Sequence, residues 1–169
     1  MASRVGVLVA DYFEESEVLY PIHRLAEDGH TVVLASPGGV PVKGKNGFSS
    51  LAVDADIADL DAAALDGLLV PGGFAPDLLR RHDNVLDLVR AIDTAGKPLG
   101  FVCHGGWVGI SAGILKGRRA TSVSAIRADM ANAGVEWVDS GVVVDGHLIT
   151  AQIPKDLGAW LRAFLAALN

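Results

Sequence analysis

Four short apolar runs dominated by valine and leucine, RVGVLVA (4–10), TVVLAS (31–36), DGLLVPGG (66–73) and KPLGFVC (97–103), alternate with stretches of helical spacing. Runs so uniformly apolar lack the in-out alternation of a strand with one wet face, so both of their faces must be covered. Covering both faces of successive strands takes crossover helices, and crossovers make the sheet parallel. The fold class is therefore α/β.

The helical stretches carry their own punctuation. SEVLYPIHRLAEDGH (16–30) offers Ser16 as N-cap, Glu17 in the first turn, Leu19, Ile22, Leu25 and Ala26 on one face, and Gly29 as the stop. Pro21 falls inside it, where a missing N–H is a cost. NVLDLVRAIDTAG (84–96) is a second helix, halted by Gly96 before Pro98. PKDLGAWLRAFLAAL (154–168) opens on Pro154 and repeats Leu157, Trp160, Leu161, Phe164, Leu165 and Leu168 at helical spacing. Residues 36–53, rich in glycine and proline, read as a small hairpin excursion at a sheet edge. VVVDGHLIT (142–150) reads as a hairpin turning on Asp145-Gly146, a pair suited to a type I′ turn.

Size and composition bound the rest. A chain of 169 residues, half apolar and a fifth charged, makes one domain spanning 1–169. A single cysteine forms no intramolecular disulfide and no zinc framework, which suits a reducing compartment and predicts a cytoplasmic protein. Val5–Ala10 is too short for a secretory signal, and no run nears the roughly twenty apolar residues of a membrane span. Neither membrane nor nucleic acid is expected as a partner: the net charge is −6, and the basic pairs Arg80-Arg81 and Arg118-Arg119 read as solvated faces. His23, His30, His82 and His147 lack metal-ligand spacing, so no metal or cofactor is expected.

The chemistry concentrates around Cys103. Residues 100–103 run to the carboxyl end of a buried strand and WVGISAGIL (107–115) starts a helix at once, leaving room only for a sharp turn. Ligand crevices of open α/β sheets lie at such ends. A lone cysteine in an apolar strand is ordinarily a core residue. Here Gly100, Gly105 and Gly106 supply the small neighbours a strained nucleophile elbow needs, and His104 follows directly. Helix amino-terminal N–H groups favour thiolate, which predicts a thiol pKa below the free value of about 8.5. Gly72-Gly73, after the third strand, offers a backbone N–H from Gly73 that can converge with that of His104 on an oxyanion. Asp11, Glu14, Glu15 and Glu17 follow the first strand. Glu17, beside apolar Val18, is the one expected to project inward, with a pKa raised by burial and a proton to share with the thiolate. Trp107 and Tyr20 either line the cleft or pack in the core.

YPIHRLAEDGH, LLVPGGFAP, KPLGFVCHGG, ISAGILKGR, DMANAGVEWVD, VVVDG and IPKDLGAWLRAF, in this order from Val5 to Leu168, resemble the PfpI intracellular-protease family of the ThiJ/PfpI superfamily, whose fold is that of class I glutamine amidotransferases. The resemblance implies a flavodoxin-like three-layer sandwich with a mostly parallel sheet. It implies Cys103 as elbow nucleophile, Glu17 hydrogen-bonded to it and His104 as its imidazole neighbour, with Gly72, Glu14 and Trp107 lining the substrate pocket. Because adjacent residues on a sharp turn usually point apart, Cys103 and His104 need not form a compact dyad, and a carboxylate from an adjoining subunit orients the imidazole in such peptidases. Asp77 occupies that position, one methylene shorter than the glutamate expected there. Homo-oligomers, dimers or trimers of dimers, follow from the resemblance. The sequence departs from the family pattern at Gly106, where proline is frequent, at Val123, where a tyrosine often stands, and at Gln152, where arginine is frequent.

Three functions are compatible with these residues. The first is a cysteine hydrolase acting on peptides or other acyl and carbonyl substrates, with the Gly73 and His104 amides holding the oxyanion. The second is a glutathione-independent glyoxalase or deglycase acting on methylglyoxal and its adducts. The third is a redox-sensing stress protein or chaperone whose thiol oxidises to sulfinate.

Overall fold

A computed structural model describes residues 2–168. In chain order it comprises β1 (Arg4–Leu8), α1 (Glu15–Glu27), β2 (Thr31–Ser36), β3 (Ala55–Asp56), β4 (Gly67–Val70), α2 (Ala75–Leu79), α3 (Asp83–Thr94), β5 (Leu99–Val102), α4 (Gly106–Ala112), β6 (Arg119–Ala120), α5 (Arg127–Asn132), β7 (Glu136–Trp137), β8 (Val142–Asp145), β9 (Leu148–Ala151) and α6 (Leu157–Leu168). The main sheet runs β3-β2-β1-β4-β5-β9-β8, and every pairing is parallel except β8 with β9. β6 and β7 form a small parallel pair. Apart from its two edge strands the order is that of a flavodoxin-like sheet, whose direction of winding reverses between β1 and β4.

The four apolar runs supply β1, β2, β4 and β5, and β4 and β5 are buried along their whole length. Alternate residues of β5 face opposite layers. Gly100 lies against Trp160 and Phe164 of α6, whereas Phe101 lies against Gly109 of α4. Trp160, Leu161 and Phe164 are fully enclosed, and the Trp160 indole N–H donates to the Ile149 carbonyl at 3.0 Å, so its polar atom is satisfied.

Several boundaries differ from the sequence reading. α1 is capped by Glu14 rather than Ser16, because the Glu14 side chain reaches forward to accept from Ser16 N and Ser16 Oγ. Its buried side is Glu17, Val18, Pro21 and Leu25, while Ala26 is exposed, and the helix runs through Pro21. The expected hairpin in 36–53 is reduced to a short 3₁₀ turn and one antiparallel bridge, Val42 with Leu51, since Pro37 and Pro41 lack a ladder donor and its glycines favour turns over extended strand. In the β8–β9 hairpin Asp145 pairs with Leu148, so the two-residue loop is Gly146-His147. Gly146 has φ +62° and His147 does not share the left-handed region, which is the type II′ pattern. Of the two basic pairs, Arg81 and Arg119 are exposed as expected, whereas Arg80 and Arg118 are partly buried. Arg118 is partly buried among Asp93, Asp145 and the Asp145 carbonyl, and Asp93 also receives His147 Nε2 at 2.7 Å. Arg80 donates to Ser111 Oγ and lies over the Trp107 ring. Among the described residues no helix is long and apolar enough to cross a membrane.

Candidate active site

β1, β4 and β5 end at one rim of the sheet, and the loops leaving them meet there. Cys103 follows β5 with φ +59°, a left-handed backbone that among the described non-glycine residues is shared only by Tyr12. Such a conformation costs on the order of 1–3 kcal/mol and persists where the surroundings over-determine it. The surroundings here do so. The Cys103 carbonyl accepts from Val123 N at 3.3 Å, and the 3₁₀ turn 103–105 leads straight into α4. The turn is pressed so hard onto β4 that a Cβ on Gly105 would lie 2.3 Å from the Val70 carbonyl oxygen. The elbow read from the sequence is thus present, with a mechanical reason for its glycine.

Gly73, with φ +75°, is wedged against the backbone of Tyr12–Glu14, where a Cβ would sit 2.4 Å from Glu14 N. That wedge aims its N–H at the Cys103 sulfur, and the His104 N–H converges on the same atom. Gly72 lies between Cys103 and Glu17: its N–H donates to Glu17 Oε2 at 2.7 Å, and a Cβ there would be 2.7 Å from Cys103 Cβ.

Glu17 is fully buried. Burial outweighs the Gly72 hydrogen bond and lifts its carboxyl to about 7, with nearby Glu14 adding to the rise. The carboxyl is coupled to the Cys103 side chain, and its buried Oε1 has no hydrogen-bond partner. The thiol is partly exposed, yet its pKa is raised rather than lowered. Burial first, then the Glu17 charge, push it up to about 12, overriding the two amides that favour thiolate. This reverses the expectation from the helix terminus. A negative neighbour in a sheltered site outweighs a partial dipole charge. The two groups titrate as a pair that holds two protons below about pH 7 and, once Glu17 ionises, one proton above it.

Cys103 and His104 do meet, contrary to the expectation that neighbours on the turn point apart. Sγ lies 3.3 Å from Nδ1, because the 3₁₀ turn folds the imidazole back over the thiol. Burial, then Lys45, lower the His104 pKa, so the ring is neutral at physiological pH. Trp107 flanks it at 5.0 Å between ring centres and is fixed by its N–H to Asp129 Oδ2 at 2.8 Å. Glu14 stands at the mouth, paired with Lys45 Nζ at 2.8 Å. Asp77 is not brought to the site within the chain: it is exposed on α2 and paired with Arg81. Tyr20 is exposed beside Arg24 and Arg162, away from the cleft. Lys45 is absent from the sequence reading, since nothing in VKGKNGF marks a contact with a helix start some 31 residues earlier. Among the described residues no group of acidic, histidine and cysteine side chains could hold a metal ion.

The family model described as the DJ-1/PfpI family matches residues 3–167. The chain belongs to that family. Deglycase PfpI of Pyrococcus furiosus is 45% identical over 98% of this chain and 99% of its own length. Protein/nucleic acid deglycase 2 of Escherichia coli is 39% identical over 100% of this chain and 99% of its own. Among solved structures, a two-domain protein of Anabaena variabilis with DJ-1/ThiJ/PfpI-like and ferritin-like domains superposes with a TM-score of 0.96 at 36% identity, over 98% of this chain and 48% of that one. The DJ-1/PfpI fold expected from the sequence is the fold found. Gly106 takes the place of the frequent proline without loosening the helix entry, because α4 starts on it and Met130 Sδ packs against its face. Gln152 Nε2 donates to Asp139 Oδ1 at 2.9 Å.

Proposed function

We propose that this protein is a cysteine-dependent deglycase or glyoxalase acting on methylglyoxal and its early adducts, with Cys103 as nucleophile. The observation that carries the reading is the buried Glu17 carboxyl against the Cys103 thiol, at a pKa of about 7. A base whose pKa lies near the working pH is suited to taking a proton and giving it back. The names of the relatives favour the same chemistry over peptide hydrolysis, which the sequence reading places first.

The steps follow from the geometry. As Cys103 sulfur adds to the aldehyde carbon, its proton passes to Glu17 and the C=O electron pair moves onto oxygen. The Gly73 and His104 amides face the sulfur in the resting site, two bonds from that oxygen, and are the donors that stabilise it. Once the oxygen is protonated, a base removes the hydrogen from the carbon bearing sulfur while the neighbouring carbonyl oxygen takes a proton, giving an enediol. A proton is then returned to the neighbouring carbon as the hydroxyl on the sulfur-bearing carbon gives up its own and becomes C=O. Neutral His104, 3.3 Å from sulfur, and Glu17 are the groups in reach. The product is a lactoyl thioester, which water cleaves to lactate and free thiol. The sum is methylglyoxal plus water giving lactate.

A peptidase reading keeps one specific support, the 3.3 Å contact between thiol and imidazole. Redox sensing is weakened by the raised thiol pKa, because peroxide attacks thiolate. The deciding measurement is lactate release from methylglyoxal, and from methylglyoxal-treated amines, by metal-free protein beside a fluorogenic peptide panel. Lactate production that vanishes in Cys103→Ala supports the reading. Peptide cleavage without lactate production overturns it.

A further inference from the structure

Residues 43–48, KGKNGF, form a loop laid across the start of α1. The Lys45 N–H donates to the Phe13 carbonyl at 2.9 Å, and Phe13 bridges both Gly44 and Gly73. The loop is therefore joined through one residue to the turn whose amide faces the sulfur. Glu15 fixes it from beneath: Oε1 accepts from Asn46 N and Oε2 from Asn46 Nδ2, each at 2.7 Å, and Gly44 is packed so closely that a Cβ would lie 2.3 Å from Oε1. The loop is thus a built element, and it delivers Lys45 Nζ to Glu14 Oε2 at 2.8 Å with side-chain exposures of 33% and 14%. From there the ammonium acts on Cys103, Glu17 and His104. The charged and titratable groups linked to the sulfur site are Glu17 of α1, its N-cap Glu14, His104 from the sulfur's own turn and Lys45 from this loop, which reaches the site through its pair with Glu14.

Resting on the reading of Cys103 as nucleophile, we propose that Lys45 is the positioning cation of the site: held by Glu14, it supplies the positive charge against which the sulfur, and the alkoxide formed on addition, become anionic. Glu14 limits that charge by neutralising part of it. Without Lys45, Glu14 would lose the cation paired with it, and each further negative charge at Glu17 or the sulfur would be harder to form.

The test follows thiol alkylation in the absence of substrate, so it stands or falls separately from the deglycase reading. Full-length wild type, Lys45→Met, Lys45→Arg and Glu14→Gln are titrated from pH 5 to 11 with iodoacetamide and with iodoacetate, after equal folding is verified by circular dichroism. Lys45→Met is expected to slow iodoacetamide about tenfold at pH 7.5, the equivalent of one pKa unit, and to slow anionic iodoacetate further. Lys45→Arg restores both rates, and Glu14→Gln accelerates them. An unchanged Lys45→Met profile overturns the proposal. So does an arginine variant as slow as the methionine one, which would assign Lys45 a packing role.

Discussion

At the scale of single residues, the proton shared by Cys103 and Glu17 makes stability and activity pull in opposite directions. The Glu17 pKa rises from its ordinary 4.5 to about 7 on folding. The folded protein therefore binds the extra proton between those values, stability falls as pH rises through the window, and the full cost is in force above pH 7. A shift of that size corresponds to about 3 kcal/mol. Glu17→Gln should thus be more stable than wild type in urea at pH 8, by up to about 3 kcal/mol, with the advantage shrinking toward pH 4.5. The same variant should lose at least about a hundredfold in kcat/KM for lactate formation, along with the ascending limb near pH 7 in the wild-type rate profile. A variant that is stabilised but still active would separate Glu17 from proton transfer. Gly73→Ala places a Cβ 2.4 Å from Glu14 N at φ +75°, so it should cost several kcal/mol of stability by thermal melting and misplace the amide that faces sulfur. Glu17 was legible in the sequence because a carboxylate beside Val18 in a first helical turn has few ways to avoid the sheet. The direction of the thiol shift was not legible, because it depends on how close two buried acids approach across Gly72.

At the scale of elements, the regular pieces announced themselves and the irregular ones did not. The apolar runs, the helix carrying Trp160 and Phe164 and the hairpin all have periodicities that leave one workable arrangement. The segment 36–53 has none, and its course is set by distant partners: Glu15 for Asn46, Asp11 for the Lys43 amide and Glu14 for Lys45. Lys45 stayed hidden for that reason. The hairpin turn slipped by one residue because Asp145 has another task, accepting from Arg119 N at 2.9 Å and pairing with Arg118. Arg118 therefore ties α3 to the hairpin, and Arg118→Met, which leaves Asp93 with His147 and Asp145 with the Arg119 N–H but removes the cation between them, should lower stability by roughly 1–3 kcal/mol in urea. Lactate formation should change little, since the cluster includes none of the groups at the sulfur.

At the scale of the whole molecule, the rim that holds the site also carries its most exposed aromatic rings, Tyr12 at 57% and Phe74 at 61%. Phe74 N donates to the Tyr12 carbonyl, so the two residues are fixed side by side next to Gly73. Asp77 lies on the helix that follows, so self-association through this rim would be the arrangement that brings a partner's carboxylate to the site. Light scattering should show an assembly larger than one chain, and Phe74→Glu should both dissociate it and lower turnover. An active monomer would remove the need for a partner carboxylate. The position of β5 between β4 and β9 has a consequence during synthesis. Cys103 leaves the ribosome well before residues 148–151, so a nascent chain stalled between them carries the cysteine on a strand with one flank bare. Its sulfur should then react with probes like any cysteine in an unstructured peptide, and the moment it stops doing so would time the closing of the sheet.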